Sequence, residues 1–142
     1  MQRLIWKEVG PLVQSVHTDV YSRFDYVEDA QGLIKIDKWG PCKIVGDRLQ
    51  GDCDNFAIEV ANRLRDAGVP DDAMALGECS LKGGRNPDHM YLIIATDEGL
   101  MVSECNSTQV NPGSFYAGWG ALAHMPFGGD IRAAWVTFKG WV

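Results

Sequence analysis

The feature that most constrains this chain is the break at Gly68-Val69-Pro70, where one hydrophobic period ends and another begins. Before it, Phe56, Ala57, Val60, Ala61 and Leu64 recur at the spacing of one helical face. Asp52 suits an N-cap, Gly68 stands where a C′ glycine belongs, and Pro70 blocks continuation. The pattern predicts a helix over residues 53–67. An earlier stripe of Leu12, Val13, Val16, Val20 and Phe24 has the same spacing, with Pro11 suited to its first turn. Residues 25–47 keep no period and read as a connection. After the break the period is that of strands, expected over residues 73–81, 89–95 and 100–106. Thr96-Asp97-Glu98-Gly99 is a hairpin turn, residues 82–88 are a loop, and residues 131–138 form a last strand. The stretch 111–129, rich in Gly and Pro, reads as a long loop. Helices followed by an antiparallel meander make the class α+β.

Composition narrows the function. The chain has 142 residues, which suits a single domain over 1–142. Its 13 Lys and Arg stand against 19 Asp and Glu, a net charge of −6 with no basic run, so nucleic acid is not the expected partner. Apolar runs such as Leu92-Ile93-Ile94-Ala95 are too short for membrane insertion. The first residues lack the apolar stretch of a secretory signal, so the expected location is the cytoplasm. Cys42, Cys53, Cys79 and Cys105 are scattered without a CxxC pair, which argues against a zinc ribbon and for free thiols.

One cysteine stands apart. Cys53 falls in the first turn of the best-marked helix, where unpaired amides and the helix dipole favour a thiolate. His89 opens a strand, and a short hairpin brings the end of the next strand beside it. That end carries Glu104 and Asn106, two apart and so on one face. A thiol, a base and an orienting group in this order follow the logic of cysteine acyl transfer.

The surrounding residues are familiar as a set. Gly51-Asp52-Cys53-Asp54-Asn55-Phe56-Ala57 resembles the cysteine signature of the bacterial transglutaminase-like cysteine peptidases. Asp37-Lys38-Trp39-Gly40-Pro41 resembles the segment before that cysteine, and His89-Met90-Tyr91-Leu92-Ile93 the histidine strand. Met101-Val102-Ser103-Glu104-Cys105-Asn106 takes the place of the strand with the third residue. The resemblance runs from about residue 13 to 138. It implies a papain-like fold, with the cysteine helix packed on an antiparallel sheet. It also implies cleavage of amide bonds in a protein or peptide. Cys53 is then the nucleophile and His89 the base. Glu104 aligns with the family's Asp, and Asn106 aligns if the hairpin turn is shortened; Glu104 is preferred. The Cys53 amide is one expected oxyanion donor. The Trp39 indole and the Gln50 side chain are the two choices for a second. Asp52 and Asp54 resemble a pair implicated in calcium binding in some members, although helix capping also accounts for them. No other cofactor is implied.

Two rival readings stand beside the peptidase. The Glu-for-Asp exchange and the acidic neighbours of Cys53 fit a weak or inactive domain that binds peptides. An amine in place of water would make the enzyme a transglutaminase-type acyltransferase. His17 reads as a satisfied core residue, and His124 as a surface loop residue. Trp119, Trp135 and Trp141 read as packing. Phe115, Tyr116 and Trp119 are the apolar side chains that the long loop can offer to a cleft.

Overall fold

A computed structural model of the chain describes residues 2–27, 40–81, 88–116, 118–126 and 136–137. Helix α1 spans Trp6–Arg23 and α2 spans Cys53–Asp66. Strands β1 (Phe24–Tyr26), β2 (Lys43–Val45) and β3 (Arg48–Gly51) form a small sheet in the order β1-β3-β2. The larger sheet is built from β4 (Met74–Ser80), β5 (His89–Thr96), β6 (Gly99–Ser103), β7 (Asn111–Pro112), β8 (Gly120–Pro126) and β9 (Val136–Thr137). Its order is β7-β6-β5-β4-β8-β9, and every pairing in it is antiparallel. The class is α+β, as expected from the change of period.

The core lies between the helices and one face of this sheet. Val13 and Val20 of α1 join Phe56, Val60 and Leu64 of α2 and Met74, Leu76, Met90, Leu92 and Ile94 of the sheet. All eight residues of β5 are buried, so the central strand carries apolar side chains on both faces. Its second face holds Tyr91 and Ile93 with Ala75, Cys79, Val102 and Tyr116. Gly77 of β4 lies opposite Tyr91, and a Cβ there would come within 2.5 Å of the tyrosine ring.

Three sequence expectations are corrected. Helix α1 begins at Trp6, ahead of Pro11, which lies inside it. The Trp6 amide donates to Asp97 Oδ1 at 2.9 Å, so a carboxylate from the β5–β6 turn caps the helix. Pro11 is on the exposed side, where water can replace the bond that its ring cannot make. The third strand ends at Ser103, so Glu104 and Asn106 lie just beyond β6 and not on it. The stretch expected to be a loop contains β7 and β8, and β8 adds to the free edge of β4. Of the expected last strand, only Val136–Thr137 is among the described residues.

Candidate active site

The start of α2 is built around Gly51-Asp52-Cys53. The Asp52 N–H donates to Asn55 Oδ1 at 3.0 Å, closing a capping box, and Asn55 Nδ2 donates to the Gly40 carbonyl at 2.9 Å. Asn55 folds back so closely that a Cβ on residue 51 would come within 2.5 Å of its own Cβ. Glycine at 51 is what allows the turn into the helix.

Cys53 is 1% exposed. The Met90 N–H donates to its Sγ at 3.4 Å, which ties the sulfur to the residue after His89. Burial pushes the Cys53 thiol up to about 12. The Met90 amide and its own amide pull it down, and the Asp52 and Asp88 charges push it up. Burial thus favours the thiol and opposes the thiolate that a helix N-terminus by itself would favour.

His89 supplies an imidazole from the first position of β5. Its Nε2 stands 3.3 Å from Glu104 Oε1, with the two side chains 3% and 2% exposed. The approach is within ion-pair distance but lacks the alignment of a hydrogen bond. The other carboxylate oxygen, Oε2, accepts the Asn106 N–H at 2.7 Å. Glu104 therefore meets the histidine, whereas Asn106 is exposed and serves Glu104 through its backbone.

Gln50 lies on β3 and lines a hollow of about 360 Å³ with Lys43, Asp52 and Asn55, beside the start of α2. Trp39 lies outside the described residues. Asp52 and Asp54 are both buried at the start of α2. Calcium takes six to eight oxygens. Among the described residues no group of three or more His, Cys, Asp or Glu side chains is arranged to hold a metal. The carboxylates of Asp52 and Asp54 would supply part of that oxygen set.

Trp119 has a larger part than packing alone. Its ring meets the His89 ring edge-on, with centroids 5.2 Å apart, and also contacts Tyr91 and Tyr116. Phe115, Tyr116 and Trp119 line a groove of about 630 Å³ that Glu104 and Ser107 also border. An aromatic wall thus runs from the histidine into an open groove. The only sequence signal for it was a long loop rich in glycine and aromatics.

No protein-family model matches the sequence, and no curated protein matches it by sequence at a significant level. Solved structures do match. Legionella pneumophila LapG aligns with a TM-score of 0.65 and 20% identity, over 82% of this chain and 63% of that one. The chain thus spans less than two thirds of that LapG structure. EGTA-treated LapG from the same organism aligns with a TM-score of 0.66 and 18% identity, over 94% of this chain and 75% of that one. Calcium-bound LapG aligns with a TM-score of 0.61 and 17% identity, over 96% and 83%. These likenesses establish a transglutaminase-like core. At identities of 17–20% the likeness is one of fold.

Proposed function

We propose that this protein is a cysteine hydrolase that cleaves an amide bond of a protein or peptide. The observation that carries the reading is the buried approach of His89 Nε2 to Glu104 Oε1 at 3.3 Å, beside a cysteine at a helix N-terminus. The sequence resemblance around Cys53 and the core shared with LapG support it. In this reading Glu104 orients the imidazole through Nε2, which leaves Nδ1 to serve the thiol. His89 takes the Cys53 proton as the sulfur attacks the substrate carbonyl carbon. The Cys53 amide, at the open end of α2, stabilises the oxyanion that forms. His89 then gives the proton to the leaving amine as the C–N bond breaks, and a thioester remains. Water, deprotonated by His89, attacks the thioester and releases the acid and the Cys53 thiol.

One observation favours the rival reading of a weak or inactive binding domain. Cys53 is sealed from solvent, and burial pushes its thiol up to about 12. A single experiment separates the two. Peptide-library cleavage by the wild type and by Cys53→Ala is followed by mass spectrometry. Cleavage that disappears in the variant supports the hydrolase. Peptide binding without cleavage in either protein supports the binding domain. Incorporation of a labelled primary amine into peptide would reveal a transglutaminase-type acyltransferase instead.

A further inference from the structure

Glu104 lies outside any strand, in the turn between β6 and β7, yet it must hold one position for its carboxylate to meet His89. What fixes this turn is helix α1. His17, fully buried on α1, contacts both sides of it: Nδ1 lies 2.7 Å from Ser103 Oγ and Nε2 lies 2.7 Å from the Ser107 carbonyl oxygen. Ser103 immediately precedes Glu104 and Ser107 follows three residues later, so the imidazole brackets the carboxylate. A carbonyl can only accept, so Nε2 carries the proton and Nδ1 accepts from the Ser103 hydroxyl. Burial pushes the His17 pKa down, in keeping with this neutral tautomer.

One helical turn away on the same face, Gln14 grips the next part of the segment. Its Nε2 donates to the Val110 carbonyl at 3.0 Å, and its Oε1 accepts the Val110 N–H at 2.9 Å. The segment is also tied to the aromatic wall. Asn111 Nδ2 donates to Ser107 Oγ at 2.9 Å and to the Tyr116 hydroxyl at 3.0 Å.

We infer that His17 is a positioning residue, which holds the Ser103–Ser107 turn so that Glu104 faces His89. This rests on the cysteine hydrolase reading, and it adds a component from the helix that does not carry the nucleophile. A leucine of similar size would keep the packing against Phe56 and Tyr21 but would release both anchor points. A glutamine keeps an acceptor and a donor on one side chain.

The test compares His17→Leu, His17→Gln and Val13→Ala, the last a fully buried α1 residue and a control for packing loss. Peptide cleavage is measured on folded protein, checked by near-UV circular dichroism. His17→Leu is expected to lower kcat about tenfold or more with KM within about twofold, since displaced catalytic groups cost rate more than binding. His17→Gln is expected to recover most of the rate. Val13→Ala is expected to lower the melting temperature with little change in kcat. An unchanged kcat in His17→Leu, or an equal loss in Val13→Ala, overturns the inference.

A second readout does not need activity. The chain has only three histidines, so the ¹⁵N signals of His89 can be resolved. His17→Leu should disturb them as Glu104→Gln does, and His17→Gln should restore them. If only Glu104→Gln disturbs them, His17 has no positioning role, even where cleavage is intact. If wild-type protein does not cleave, or Cys53→Ala still does, the hydrolase reading fails and the ¹⁵N comparison still decides the placement of Glu104.

Discussion

Nε2 of His89 stands 3.3 Å from Oε1 of Glu104, and neither side chain is more than 3% exposed. A carboxylate so placed can fix the imidazole's orientation and stabilise a positive charge on it. Its other oxygen is held by the Asn106 amide, so the side chain has a defined pose.

Glu104→Gln should therefore lower kcat about 10²-fold, because the amide presents no charge to the imidazolium. Asn106→Ala keeps the backbone amide that bonds Glu104 and should stay within about threefold of wild type. Steady-state cleavage of one peptide by both variants checks the pair. Equal losses would mean that the Asn106 side chain takes part.

Cys53→Ala should abolish cleavage and cost only about 1 kcal/mol of stability, since one sulfur is lost from a packed site. Urea unfolding of the variant measures this. A loss of several kcal/mol would make the residue chiefly a packing cysteine.

Buried thiols should make the protein sensitive to base. Burial raises Cys42 and Cys53 from an ordinary 9.0 to about 12, and raises Cys79 and Cys105 as well. The folded state then keeps protons that the unfolded chain releases. Stability from this source is fully present below pH 9 and falls as pH rises above it. The loss is up to about 1.4 kcal/mol per thiol per pH unit until the folded values are reached. Urea midpoints measured from pH 7 to 10.5 should fall above 9, and less steeply in Cys79→Ala. The same shift predicts that iodoacetamide alkylation of Cys53 in the resting protein keeps accelerating above pH 9.

Gly77→Ala should destabilise the fold by about 1–3 kcal/mol, because the new methyl meets the Tyr91 ring in a buried layer. Chemical denaturation tests this. A neutral result would mean that Tyr91 can move aside at no cost.

Much of the site was legible because its signals are local. The helix that carries Cys53 is declared by Asp52, Gly68, Pro70 and a regular apolar face, all within one turn of the element they define. A tight hairpin, in which Thr96 pairs with Gly99, carries the end of β6 toward the His89 end of β5, although its register alone would set residue 106 opposite His89. The resemblance around Cys53 led to the same core that LapG shows.

What escaped the sequence depends on contacts between distant residues. Asp97 caps α1 from the β5–β6 turn, so the helix begins before Pro11. β8 forms because the edge of β4 offers unpaired backbone groups, which glycine-rich spacing does not announce. That the Glu104 side chain is the one that approaches His89 depends on β6 ending at Ser103.

By itself the sequence determined the class, the helix and its cysteine, and the strand order around the histidine, because capping, period and turn chemistry act over a few residues. Only the tertiary structure decided that Cys53 is a buried thiol, that Trp119 lies against His89, and that His17 grips the turn bearing Glu104. Desolvation and side-chain hydrogen bonding depend on which distant segments pack together, and no local pattern encodes that.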